Sequence, residues 1–386
     1  MSIQPLRWLS SACVVAYYHS AYRVRGWGTL PSEAAGPKLL VANHQHEIEA
    51  AIIVSDLTLR ARIWRHPIFT VSSRRMWEPG FFAERIPWLS PFFRSVNAGW
   101  LFGALGMQPI ENELNARPFV SIAYTLVQQH GDLETDKVFL EPARARLPAT
   151  VRTLKDLLGA KHFSAGRMRV KLTEISPSYR KEILELTRAQ IDADLAHFEN
   201  LQRSGATIFL TPEGSYSGDG KMQRFRGALS RLAPSAQIWV IGISYDPFVG
   251  RRLSLLYRIV PASRSLPLEA QIKRTRPVTT SALLGAWLQA HPVRQFSRQD
   301  AHAAVDTALR DLPGSLFVDP ELRRNPIAMA DRALDGLLRL RIAIRHGDGY
   351  RLAETRRHPQ FPRTADIVEY QANFQRETLE GAGAPG

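Results

Sequence analysis

The chain has 386 residues, 45% of them hydrophobic and 22% charged, which is ample for a hydrophobic core and ordinary for a globular protein. A formal net charge of +14 favours an anionic partner, either nucleic acid or the anionic face of a membrane, over a generally solvated basic surface. The single cysteine, Cys13, excludes an intrachain disulfide and fits a reducing compartment.

Residues 9–18 are mainly apolar, interrupted by Ser10 and Ser11 and closed by Tyr17 and Tyr18. The run is about half of the roughly 20 residues that a membrane span needs. Arg7 precedes it, but no clear small-residue cleavage site follows. It reads as an amphipathic helix, lying in a membrane interface through Trp8, Tyr17, Tyr18 and Tyr22 or docked on the protein. Residues 22–26 read as a short strand, 38–43 as a buried strand bounded by Gly36-Pro37, 48–59 as a helix and 68–72 as a further strand. Residues 74–94, rich in aromatics and proline, predict irregular structure with short helices. The spacing over 119–129 predicts a helix that stops at Gly131, whereas 132–178 carry little signal and read as an insertion. Leu184, Ile191, Leu195 and Phe198 mark a helix over 179–202. Strands follow at 206–211, 238–244 and 253–260, and strands separated by helices indicate an α/β sheet. Beyond Lys273 the pattern turns helical, at 280–288, 298–309 (with Ser297 and Asp300 as a capping start) and 332–340. A hairpin follows at 342–352, and residues 381–386 read as a frayed tail.

Two segments carry chemistry. The first, Asn43-His44-Gln45-His46-Glu47-Ile48-Glu49, directly follows a strand. A histidine with a carboxylate partner is the general-base pair needed to activate an alcohol, a poor nucleophile until its proton is removed. In a continuous helix, five residues turn the chain by about 500°, so His44 and Glu49 would lie about 140° apart. His44 is therefore expected on the turn before the helix, folded back towards Glu49. Taken alone, such a pair is more often structural than catalytic. The second segment runs from Phe209 through Thr211-Pro212-Glu213-Gly214-Ser215-Tyr216-Ser217 to Phe225-Arg226-Gly227. A glycine-rich turn after a strand lets backbone N–H groups approach a ligand, and Lys221, Arg224 and Arg226 can bind an anion; a plain polar loop is the alternative.

Together, and in this order, the segments resemble the glycerolipid acyltransferase family, which includes the 1-acylglycerol-3-phosphate and glycerol-3-phosphate acyltransferases. Asn43-His44 to Glu49 matches its first block, Gly106-Met107-Gln108-Pro109-Ile110 the start of its second, and Thr211 to Ser217 its third. Residues 238–244 stand where the apolar fourth block belongs. The resemblance covers about residues 1 to 262. It implies that His44 is the general base and Glu49 its orienting carboxylate. It implies further that Glu213 and Gly214 help place the acceptor and the reacting carbonyl; from the loop itself, Ser215, Lys221 and Arg226 are expected to join them in the acceptor and oxyanion region. It implies no metal and no cofactor beyond acyl-CoA or acyl-carrier protein as co-substrate. The acceptor would be a lyso-lipid or a glycerol phosphate. Three residues depart from the family pattern: Glu49 stands for aspartate, and Asn112 and Tyr216 stand where the family has arginines associated with the acceptor phosphate. The departures put the acceptor in question more than the reaction.

The expected architecture is α/β, with a mixed central sheet flanked by helices. Residues 1–30 form the N-terminal helix and lead-in strand, 31–272 an acyltransferase domain with a helical insertion at about 132–203, and 273–386 a mainly helical module for which a winged helix is a candidate. The expected location is cytoplasmic, peripheral at the inner face of an anionic membrane. Three rivals stay open. His44-x-His46 is a zinc-ligand spacing and suggests a metal-dependent hydrolase. The basic charge suggests a DNA-binding regulator, although it is spread along the chain without a recognition stripe. The two missing arginines suggest a non-catalytic, membrane-associated member of the same fold.

Overall fold

The computed structural model describes residues 4–28, 36–60, 68–78, 97, 99–111, 115–291 and 295–383. The expectations for 79–94, Asn112 and 384–386 lie outside the described residues. The strands are β1 (Tyr22–Gly28), β2 (Lys38–Ala42), β3 (Ile68–Ser73), β4 (Met107–Ile110), β5 (Ala116–Pro118), β6 (Arg169–Lys171), β7 (Thr207–Leu210), β8 (Gln237–Asp246), β9 (Leu253–Pro261), β10 (Ala343–His346) and β11 (Gly349–Leu352). The longer helices are α1 (Gln4–Ala21), α2 (Glu49–Arg60), α3 (Phe119–His130), α4 (Pro177–Arg203), α5 (Leu268–Thr275), α6 (Thr280–Ala290), α7 (Arg298–Asp311), α8 (Pro326–Arg339) and α9 (Ile367–Gly381).

Seven strands make one mixed sheet, in the order β1-β9-β8-β2-β7-β3-β4. The chain divides into two compact units, Met1–Thr70 with Leu201–Gly386, and Val71–Asn200. In the first unit β2 lies parallel to both β7 and β8, and β3 parallel to β7. β9 returns antiparallel to β8, and β1 runs parallel to β9, so the last two strands point the other way. β2 and β7 are buried along their whole length, which is why they read as short apolar runs rather than alternating ones. Leu40, Phe209, Ile243 and Leu255 from the strands share one core with Ile53 of α2, Leu284 of α6, Leu337 of α8 and Val368 of α9. Residues 273–291 and 295–383 thus fall in the same unit as β1, β2, β7, β8 and β9. Helix caps act as their side chains dictate: Thr279 accepts from the Ala282 N–H, and Ser297 and Asp300 form the reciprocal capping box.

In the second unit α3 stops at Gly131, whose φ of 77° suits glycine, as its sequence position suggested. Residues 132–178, which carry little sequence signal, fold into short helices at Thr135–Val138, Glu141–Arg144, Leu154–Leu158 and Phe163–Gly166. Their scattered apolar residues, Val138, Phe139, Leu154 and Leu157, close a separate core on Phe119 and Leu126. No helix among the described residues is long and apolar enough to cross a membrane.

Candidate functional site

The C-terminal ends of β2 and β7 carry the two segments singled out above. Asn43, directly after β2, is buried and pinned to β8: its Oδ1 accepts from the Ile243 N–H at 2.7 Å and its Nδ2 donates to the Ile243 carbonyl at 3.0 Å. The chain then turns, and α2 begins at Glu49. His44 lies on that turn and folds back, with Nδ1 2.9 Å from Glu49 Oε2. Glu49 is fully buried and also accepts the Gln45 N–H, at 2.8 and 3.0 Å to its two oxygens. A carboxylate held in this way fixes the imidazole tautomer with the proton on Nδ1 and the lone pair on Nε2. The His44 side chain retains 18% exposure, and its Nε2 has no protein hydrogen bond among the described residues.

Glu213, after β7, is equally specific in its contacts. One oxygen accepts the His44 N–H at 2.7 Å and the other the Gln223 N–H at 2.7 Å. Burial pushes its carboxyl up from its ordinary 4.5 to about 7, against the pull of those two N–H groups and of Arg276. Glu213 therefore joins the histidine turn to the loop that follows β7. Gly214, at φ 68°, occupies a turn in which its N–H donates to the Thr211 carbonyl. A Cβ there would come within 2.6 Å of Arg226 Nε, and that Nε donates to the Glu213 carbonyl at 3.1 Å. Arg226 is thus engaged with the loop backbone, and it is exposed on that loop together with Ser215 and Lys221. The same loop is tied down from outside the motif. The Met222 N–H donates to Glu377 Oε2 of α9 at 2.9 Å, and Arg276 Nη1 lies 3.0 Å from that same oxygen.

Tyr216, at one of the departed arginine positions, donates its hydroxyl to Glu47 at 3.0 Å and sets its ring edge-on to His44 and parallel to His46. The Arg363 guanidinium lies 4.2 Å from the centre of that ring. His46 Nε2 is 2.8 Å from the Gln360 carbonyl, and its ring neighbours Phe361 and Tyr245. Tyr245 is fully buried, and burial, followed by the nearby Glu49 charge, raises its hydroxyl well above the usual range. Among the described residues no group of three or more His, Cys, Asp or Glu side chains is arranged to hold a metal ion.

The site therefore brings His44, Glu49, Glu213, Gly214 and Arg226 together. Residues 358–363 and Glu377, which sequence reasoning did not single out, complete its surroundings. The signal available for the former was local: His358-Pro359-Gln360-Phe361-Pro362-Arg363 sets an aromatic between two prolines, with a cation directly after the second. Comparison of the chain with protein-family models finds no match, and comparison with curated proteins finds none.

Proposed function

We propose that the protein is an acyltransferase that moves a fatty acyl group from an acyl thioester, carried on coenzyme A or acyl-carrier protein, to a hydroxyl of a glycerolipid-type acceptor. The observation that carries this reading is the His44–Glu49 pair, with a buried carboxylate on Nδ1 and, among the described residues, no protein partner on Nε2. In this reading Nε2 takes the acceptor hydroxyl proton as the oxygen attacks the thioester carbonyl. Glu49 stabilises the imidazolium that forms. The tetrahedral intermediate collapses with loss of the thiolate, and the imidazolium returns the proton to the sulfur. No covalent bond to the protein is required. Glu213 acts on the histidine through the backbone, by holding the turn on which it sits. Ser215 and Lys221, exposed on the adjoining loop, are the polar groups assigned to the acceptor. Tyr216 borders His44 where the resemblance leads one to expect an arginine, and the Arg363 guanidinium lies over the Tyr216 ring. The C-terminal helices, with a winged-helix arrangement as one reading of α7, α8 and the β10–β11 hairpin, serve here as a structural support for the sheet.

The deciding experiment incubates the purified chain with labelled acyl-CoA, separately with labelled acyl-carrier protein, and with a panel of phosphorylated and neutral lyso-lipids. Lipid products are read by mass spectrometry. A new acyl ester on at least one acceptor supports the reading. Absence of any ester with every donor and acceptor, from a folded protein, contradicts it.

A further inference from the structure

One cavity of the first unit has a lining that includes neither His44 nor Glu49. It has a volume of about 450 Å³ and is bordered by Arg258 of β9, the loop through Phe317 and Val318, and Arg323 and Arg324. Three arginines thus line one cavity, and no carboxylate residue lines it among the described residues. Elsewhere on this edge, arginines have their anions. Arg25 makes a two-pronged contact with the buried Asp319 at 2.9 and 2.7 Å, and Arg23 pairs with Glu321. Arg258, Arg323 and Arg324 have no ion pair among the described residues, although Asp319 and Glu321 lie close to Arg323 and Arg324 in sequence. Burial lowers the Arg258 guanidinium from its usual range, and the charge of Arg274 lowers it further. A cluster of like charges, one of them partly desolvated, is a costly arrangement unless an anion completes it.

The cavity wall is built rather than incidental. The Val278 N–H donates to the Phe317 carbonyl at 2.8 Å, and the Asp319 N–H donates to the Val278 carbonyl at 3.1 Å, so the loop is held to the start of α6. Phe317 is wedged between Trp27, at 5.3 Å, and the Arg258 guanidinium, at 4.9 Å. A guanidinium stacked on an aromatic ring keeps its N–H edge free for in-plane hydrogen bonds to an anion. Charged groups at the rim and an aromatic, apolar wall describe an amphipathic ligand with an anionic end.

We propose that the Arg258–Arg323–Arg324 cavity is a binding site for a phosphate monoester whose organic group lies against Phe317. A soluble phosphate ester and a lipid phosphate headgroup share this chemistry, and the test separates them. The full chain is titrated calorimetrically with phenyl phosphate. In parallel it is co-sedimented with phosphatidylcholine vesicles containing phosphatidic acid. Arg323 and Arg324 are exposed, so Arg323→Ala/Arg324→Ala removes two charges without opening the core. Lys181→Ala/Arg188→Ala removes two exposed charges from α4 as a matched control.

The arginine pair variant is expected to weaken binding in at least one arm by about 10-fold or more, since two charge-assisted contacts are lost, while the control stays near the wild type. Arg323→Lys/Arg324→Lys should retain part of the affinity, because charge remains without the planar fork. Loss in the phenyl phosphate arm identifies a soluble ester as sufficient. Loss confined to the vesicle arm identifies a lipid headgroup. Equal losses in the arginine variant and the matched control, or no binding of either probe by the wild type, would overturn the proposal.

Discussion

His44 and Glu49 form a pair whose two members have separable consequences. Removing the imidazole in His44→Ala should lower kcat by at least about 100-fold, the low end for loss of a general base, while the unfolding midpoint stays near that of the wild type. Glu49→Gln should fall between the two, because the amide can still meet Nδ1 but no longer stabilises the imidazolium. His46→Ala should be mild, since its Nε2 is engaged with the Gln360 carbonyl rather than with the proposed chemistry. If His44 and His46 prove equally essential, the paired-imidazole metal reading gains instead. Glu213 makes a pH-dependent prediction. Its carboxyl is raised from its ordinary 4.5 to about 7, so the folded chain binds this proton more tightly than the unfolded one. That contribution to stability is complete below the unfolded value and is lost as pH rises through the folded one. Thermal unfolding measured from about pH 5 to about pH 8 should therefore show the wild type losing ground to the non-titrating Glu213→Gln, by about 3 kcal/mol at most. A difference that does not change across this range would contradict the assigned environment.

At the scale of elements, the loop after β7 depends on α9. Glu377 joins the Met222 N–H to the buried Arg276, which also stacks on Phe374 at 4.3 Å. Glu377→Ala leaves a buried guanidinium unpaired and should cost about 3–5 kcal/mol in unfolding free energy, measured by denaturant titration. Arg276→Met/Glu377→Met should recover much of that loss; a double variant as unstable as the single one would show that the ion pair is not the cause. This dependence also marks the limit of what could be read locally. The two strand–turn segments were legible because each is contiguous: strand, glycine or histidine turn, then loop or helix. The fold-back of His44 followed from a five-residue spacing alone. Helix α9 was not read, and the reason is physical. Gln371, Asn373, Gln375, Glu377 and Thr378 are all buried in it, so its inward face does not show an apolar period. Helix α5 hides in the same way, with Gln271 buried and spent on the Ser263 and Leu266 carbonyls. The reversal of β9 and β1 relative to β8 and β2 leaves no trace in strand composition either, because β2, β8 and β9 are alike largely apolar and the arginine alternation of β1 carries no direction.

On the scale of the whole molecule, the charge of +14 and the N-terminal helix bear on where the chain works. Trp8, Leu9 and Tyr17 of α1 are exposed at 41%, 56% and 68%, while Tyr18 and Tyr22 pack on the core. Co-sedimentation with vesicles should therefore require anionic lipid and fall at high salt, because each basic residue near such a surface contributes about 1 kcal/mol and is screened within a Debye length. Trp8→Ala/Tyr17→Ala should weaken it further. Binding indifferent to salt and to these substitutions would remove the case for a peripheral membrane role. The central claim, that Nε2 of His44 is the base for acyl transfer to a hydroxyl, is tested most directly by one measurement: the single-turnover rate of ester formation from labelled acyl-CoA by the wild type and by His44→Ala, on the acceptor that the lyso-lipid panel selects. The predicted result is ester formation by the wild type and a rate lower by at least about 100-fold in the folded variant. Ester formation at a near-normal rate by His44→Ala would contradict it.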